Sequence, residues 1–460
     1  MKRRSIRVAA GIALLGAVSA GGAVFAQEKS IEQRLEELDQ EVRILKRQQA
    51  LDKESAAKPK PPVLQADDKG FGFKSADGNF QLKLRGYLQA DTAWFLDDEA
   101  QNGTDTFQIT RARPIIDGTL FQNFDFRIMP DFGRGATTLF DAYVEWKYWP
   151  WLQPRIGKFK PPVGLERLQS ATANAFITRA FPTSLVPTRD LGLQLGGVIA
   201  DGVVQYQVGV FNGTLDGGNG DNDNNDGKDY EGRIFVEPFK KTDIGPLQGL
   251  GLGIAGTVGD SGGTPSSPNL PTFRTPGQNV FIRYLSGTPA TVTNTAFANG
   301  QHTRIAPQGY YYWGPFGLMG EYVLSDQEVE RRPAGIKTQD HIRNTAWQVT
   351  ASFVLTGENA TFRGVTPQKP FDLKTGGWGA VELVARYSNL RVDPDAFPTY
   401  ANPTTAAQEA RDWGVGVNWY LNKAVKLAVN YNQTNFDGGA AGGGDREAEH
   451  AILTRVQLSY

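Results

Sequence analysis

The side chains of this sequence best suited to chemistry are basic and lie close together along the chain. Lys158 and Lys160 lead into a stretch of about 30 residues, 161–190, that carries Arg167, Arg179 and Arg189. Ammonium and guanidinium groups gathered in a low-dielectric passage attract anions, and arginine can grip an oxyanion such as phosphate through two parallel hydrogen bonds. Other chemistries find less support. The three histidines (His302, His341, His450) stand far apart and there is no cysteine, so neither a metal centre nor a disulfide framework is in view. No Ser/His/acid set gathers at one expected strand end, and the chain reads as a non-enzyme that needs no cofactor. Asp221–Asp226, before Gly227, has the density of a calcium loop. It lacks the carboxylate that register requires about eleven residues on, where Arg233 falls, so an exposed loop tip is expected. Calcium or lipopolysaccharide bridging at that tip is the alternative. A net charge of −1 offers no basic field for nucleic acid, and any ionic preference must come from local placement.

A scaffold must hold these groups, and residues 71–460 alternate with a period of two. Phe80, Leu82, Leu84, Gly86, Leu88, Ala90, Thr92 and Trp94 share one face, while Gln81, Lys83, Arg85, Tyr87, Gln89 and Asp91 share the other. The pattern recurs over 347–355, 381–387, 413–421 and 425–432. Segments of ~10 such residues, apolar outward and polar inward, suit a lipid-facing barrel around a wet lumen. Aromatic clusters at strand ends separate this from a soluble sandwich: Trp146, Tyr148, Trp149 and Trp151, then Tyr310–Trp313 and Phe316. Such rings form girdles at headgroup level. After the first 26 residues no apolar run approaches the ~20 that a spanning helix needs. The 53 glycines and the 26 Phe, 15 Tyr and 9 Trp also suit a barrel. The end of the chain, Ile452, Thr454, Val456, Leu458 and Tyr460, looks like the terminal strand of a barrel assembled in the outer membrane.

The expected fold is all-β and transmembrane, a 16-stranded antiparallel outer-membrane β-barrel with a short N-terminal coiled-coil helix. Short links such as 200–202, 314–316 and 422–423 then fall on the periplasmic side. Longer ones at 161–190, 212–229, 259–302, 327–343, 391–409 and 437–447 fall outside. One periplasmic link, 357–378, is long, and the sequence gives no reason for it. By strand parity Lys83 and Arg85 face the lumen, as do Arg111 and Arg113 in step with Asp117.

The first 70 residues read differently. Lys2, Arg3, Arg4 and Arg7 precede an apolar run, and Val24-Phe25-Ala26 completes a signal peptide over 1–26. In 27–52, Ile31, Leu35, Leu38, Val42 and Leu45 follow the alternating spacings of a periplasmic coiled coil. An amphipathic helix resting on another surface is the alternative. Lys58-Pro59-Lys60-Pro61-Pro62 marks 53–70 as a Pro-rich linker.

Four segments in order carry a family resemblance. They are Lys83–Phe95 (KLRGYLQADTAWF), Arg155–Gly164 (RIGKFKPPVG) with Thr178-Arg179-Ala180 and Val186–Arg189 after it, Arg304–Tyr322 (RIAPQGYYYWGPFGLMGEY) and Gly376–Tyr387 (GGWGAVELVARY). Over the whole barrel the chain resembles the phosphate-selective porin O and P family. The resemblance implies a homotrimer in the outer membrane of a Gram-negative bacterium, set in lipid and lipopolysaccharide. It would pass small anions passively, with phosphate or polyphosphate the best-known cargo. It also implies that 161–190 folds inward and narrows the lumen. The candidate constriction ligands are then Lys160 and Arg179, followed by Arg85, Arg113, Lys158 and Arg189. Each could instead pair with a carboxylate such as Glu166, Asp190 or Asp117 and only hold the loop. Asp91, Glu166, Glu382 and the acidic loop 221–229 dilute the cation ladder. A general diffusion porin for another solute, with 27–52 tethering the barrel to the cell wall, is the other function left open.

Overall fold

The computed structural model describes residues 30–57, 61–67, 70–96, 103–221, 223, 225–288 and 290–460. The signal-peptide expectation, 1–26, lies outside them. The chain divides into two units, Met1–Lys60 and Pro61–Tyr460.

In the first unit a helix spans Ile31–Ala57. Ser30 and Gln33 start it as a capping box: the Ser30 hydroxyl accepts from the Gln33 N–H at 3.3 Å, and Gln33 Oε1 accepts from the Ser30 N–H at 3.3 Å. Ile31, Leu35, Leu38, Val42 and Leu45 all stay exposed. Among the described residues no helix is long and apolar enough to cross a membrane.

In the second unit sixteen strands pair antiparallel with their neighbours and close on themselves. They are β1 (Phe80–Phe95), β2 (Thr106–Leu120), β3 (Phe124–Asp131), β4 (Thr138–Trp146), β5 (Gln153–Phe159), β6 (Asp190–Ile199), β7 (Val204–Phe211) and β8 (Asp229–Val236). The second half holds β9 (Leu250–Gly262), β10 (Phe297–Trp313), β11 (Phe316–Arg331), β12 (Thr338–Val354), β13 (Ala380–Arg391), β14 (Ala407–Tyr420), β15 (Val425–Gly438) and β16 (Glu449–Ser459). Tyr87–Phe95 of β1 pairs with Ala451–Ser459 of β16, which removes the sheet edge there. Along β1, Leu82, Leu84 and Leu88 are exposed on the outer face, while Gln81, Lys83 and Arg85 turn inward and are partly covered.

Three regions depart from expectation, one of them the link expected at 327–343, which shortens to 332–337 because β11 runs to Arg331 and β12 starts at Thr338. The helix runs to Ala57, past residue 52. Val63–Asp67 then pairs with Gly70–Lys74, which lies against Gln81–Leu84 of β1. Gly70 opens the second of these strands at φ 108°, and a Cβ there would stand 2.5 Å from the Leu84 carbonyl oxygen. Strands β9 and β10, expected at 248–258 and 303–313, extend instead to Gly262 and back to Phe297. Polar residues such as Asp260, Ser261, Asn299 and Gln301 fill that extension and blur the alternation.

The ends of the lumen are filled unequally. On the long-link rim, Phe181, Leu185 and Val186 of 161–190 pack with Phe273, Phe281 and Ile282 of a small hairpin and with Val392 and Tyr400. On the short-link rim, Ala360 and Val365 of the link 355–379 pack with Val354, Ala380 and Tyr420.

Candidate functional site

After β5 the chain leaves the wall because Pro161 and Pro162 have no N–H to donate to a ladder. Residues 160–189 then lie along the inner wall, bound by side chains from nearly every strand of the second half. Glu321 accepts from the Leu165 and Glu166 N–H groups at 2.6 and 3.3 Å, and Asn430 Oδ1 accepts from the Ile177 N–H at 2.8 Å. Gln308, Arg386, Asn418 and Lys426 donate to the carbonyls of Val163, Thr178, Ala175 and Asn174. Gln89 and Gln457, at the barrel seam, donate to Ala171 and Thr172. Buried carbonyls need partners, and this polar inner wall supplies them.

What remains open is a cavity of about 970 Å³ between this segment and strands β1–β5. Among the described residues it is lined by eleven arginines and one lysine against three aspartates, Asp131, Asp141 and Asp216. Part of that charge is neutralised. Arg113 pairs with Asp131 at 2.8 Å, Arg189 with Asp141 at 2.5 Å and Arg455 with Asp91 at 2.6 Å. Arg85 and Arg127 share Asp117 at 2.5 and 2.7 Å.

A second group is held by neutral oxygens. Lys160 Nζ donates to the carbonyls of Leu168 and Gln169 at 3.1 and 2.8 Å. Arg179 donates to the carbonyls of Glu166 and Gln169, both at 3.2 Å, and Arg167 to that of Thr183 at 2.5 Å. Arg111 donates to Gln89 Oε1 at 2.6 Å. Among the described residues no carboxylate forms an ion pair with any of the four. A carbonyl fixes a cation in place without cancelling its charge. Burial, then the neighbouring Arg189 and Arg179, pushes the Lys160 ammonium well below its usual range. Burial likewise brings Arg167 down to about 9 and Arg179 to about 10, so both stay charged at neutral pH.

Of the six residues singled out by sequence, Lys160, Arg179, Arg85, Arg113 and Arg189 all line this cavity. Lys158 does not. It is buried in an ion pair with Asp221 of the 212–228 link. The reason is parity: Lys158 is in step with Ile156, which faces outward, and out of step with Arg155 and Phe159. Its place at the mouth of the segment outweighed that signal. Arg155 and Arg455 line the cavity and carried the same readable signal. Arg455 alternates with the outward Thr454 and Val456. Arg274 arrives from the 263–296 link, where no periodicity marks it.

The fold also brings Ser325 to His302, a neighbour invisible in sequence. Ser325 Oγ lies 2.9 Å from His302 Nε2 and donates to Asp216 Oδ2 at 2.7 Å. The acid sits on the serine rather than behind the imidazole, and all three side chains are almost fully buried. The imidazole's other nitrogen, Nδ1, faces Arg304 and Ser261, so the cluster packs as a latch.

A closed barrel with a polar lumen, narrowed by an inner segment and lined by cations, is a diffusion porin of the outer membrane. A family model described as phosphate-selective porin O and P matches residues 80–460, and the chain belongs to that family. Porin O of Pseudomonas aeruginosa is 24% identical over 417 residues, covering 85% of this chain and 91% of its own length. Among solved structures, the outer membrane channel DcaP of Acinetobacter baumannii aligns with a TM-score of 0.54 at 12% identity, over 85% of this chain and 99% of that one. Outer-membrane expressed OmpT of Vibrio cholerae aligns at 0.51 and 11% identity, over 86% and 100%. Family and fold make this protein an anion-preferring channel in a Gram-negative outer membrane rather than an enzyme.

Proposed function

We propose that the protein passes small anions passively, phosphate or polyphosphate among them, and that Lys160, Arg179, Arg111 and Arg167 select them with Arg85, Arg113 and Arg189 behind. The observation that carries this reading is that, among the described residues, no carboxylate pairs with the first four, whose charge is left for a passing solute. An oxyanion gains charge-assisted hydrogen bonds from such groups, and several weak sites in a row let it leave again. Reversal potential in a salt gradient, across bilayers holding the purified protein, tests it. Anion preference and partial block of chloride current by millimolar phosphate are expected. Cation selectivity would sink the reading, and no block by phosphate would leave a general anion pore.

Two features support a homotrimer. The helix leaves its apolar stripe exposed. Strands β3–β5 hold 8, 9 and 7 residues, against 17 in β10 and β12. A seven-residue strand rises only ~23 Å along its own axis, less than a tilted strand needs for a ~25 Å apolar band. That side of the wall fits protein better than lipid, and the longer strands fit lipid and lipopolysaccharide. Deleting residues 27–52 should weaken trimers on native gels and spare the conductance of each pore. Loss of cell-wall association in the same deletion would favour the tether.

A further inference from the structure

The link between β12 and β13, residues 355–379, is long for a periplasmic turn, and its course gives it a task. It folds up into the lumen. The Ala360 N–H donates to the Gly314 carbonyl at 2.8 Å, and the Phe362 ring stacks on lumenal Tyr310 with centroids 5.2 Å apart. Phe362 also packs against the small cluster of Leu165, Phe235 and Met319, of which Leu165 belongs to the inner segment. Glu358, buried, ties the link to itself by accepting from Thr356 Oγ1 and from the Gln368 N–H.

At its summit the link meets the anion-selecting segment from below. The Phe362 carbonyl accepts from Gln169 Nε2 at 2.8 Å, and a Cβ on Gly364 would stand 3.5 Å from Cα of Ala173. Gln169 is also the residue whose own carbonyl holds both Lys160 at 2.8 Å and Arg179 at 3.2 Å. One side chain therefore connects the periplasmic link to the shared acceptor of the two cations.

We propose that the 355–379 link is a positioning element for ion selectivity, with Phe362 setting where Lys160 and Arg179 stand by fixing Gln169. This rests on the reading of those two cations as selecting residues. The link brings no charge of its own to the cations. It controls their distance from the ion path, and the interaction between charges falls with that distance. Without the Phe362 stack the main-chain carbonyl that accepts from Gln169 is no longer held in place, the Gln169 side chain loses its anchor, and the carbonyl that positions the two cations can shift.

The test uses the full-length protein in planar bilayers, with reversal potential in a potassium chloride gradient as the readout. Phe362→Ala and Gln169→Met should each lower the chloride-to-potassium permeability ratio about threefold, the scale of one lost hydrogen bond. Phe362→Leu, which keeps an apolar anchor, should stay near wild type. In a Lys160→Gln/Arg179→Gln background, Phe362→Ala should change nothing further. An unchanged ratio in both single variants, within an anion-preferring wild type, would overturn this inference and leave the selecting residues in place. So would an undiminished effect of Phe362→Ala in the background lacking both cations. A wild type without anion preference would overturn the underlying reading as well. If Phe362→Ala does not assemble, Gln169→Met, which leaves the link untouched, decides alone.

Discussion

Arg304 and Arg179 both reach into the barrel interior, and they are held in opposite ways. Arg304 is completely buried and meets two carboxylates, Asp216 at 2.7 Å and Asp229 at 3.2 Å, with the Thr214 carbonyl as a third partner. It fastens the 212–228 link to the wall and has no charge left over. Arg179 meets two carbonyls and, among the described residues, no carboxylate. The same side chain is a latch in one place and, under the function proposed above, an anion ligand in the other. The partner's formal charge makes the difference, and residue type alone does not reveal it.

The largest effect should come from breaking the latch. Arg304→Met leaves Asp216 and Asp229 buried without their cation, which costs on the order of 3–5 kcal/mol. A lower unfolding temperature in detergent is expected, with the reversal potential near wild type. A large change in selectivity at this site would erase the contrast between the two arginines.

Neutralising the open cations should do the reverse. At an effective dielectric of about 40 and a distance of about 8 Å, one charge is worth ~1 kcal/mol to a passing ion, about fivefold in preference. Lys160→Gln and Arg179→Gln should each lower the anion-to-cation permeability ratio by about that factor and leave the unfolding temperature little changed. Unchanged selectivity in the double variant would remove both residues from the ion path.

A smaller effect of opposite sign is expected from freeing a paired cation. Asp117 holds Arg85 and Arg127, and all three are partly open to the lumen. Asp117→Asn should raise anion preference about twofold, since water screens these more open groups. A fall in anion preference would mean that Arg85 and Arg127 collapse when released, so that pairing organises this part of the wall.

Most of the wall was legible because lipid on one side and water on the other impose a strict period of two. That signal placed all sixteen strands and turned Arg85, Arg111 and Arg113 inward. It failed where strands outrun the bilayer, as at Gly262 and Phe297, since both faces there meet polar surroundings. The site was half legible. Parity identifies which side chains enter the lumen but not what they meet. That Arg113 finds Asp131 while Lys160 finds only carbonyls depends on a segment whose path is set by long-range hydrogen bonds to Glu321, Asn430 and Gln308. The His302–Ser325–Asp216 latch and the lumenal course of 355–379 have no periodic signature at all.

A graded effect is expected from pH, and it separates the open cations from each other. Lys160 loses its proton well below the usual lysine range because burial and the guanidiniums of Arg189 and Arg179 disfavour the charged form. Its charge is present below that lowered pKa and disappears as pH rises through it. Anion preference should therefore decline at a lower pH than an ordinary lysine would allow. The arginines, at about 9 for Arg167 and about 10 for Arg179, should hold their charge longer. The full swing cannot exceed the about fivefold effect of removing that one charge outright. Lys160→Arg should flatten the profile across the same range while preserving the preference near neutral pH. A wild-type profile level to pH 10, or a slope that persists in Lys160→Arg, would show that Lys160 is not the titrating group in the path.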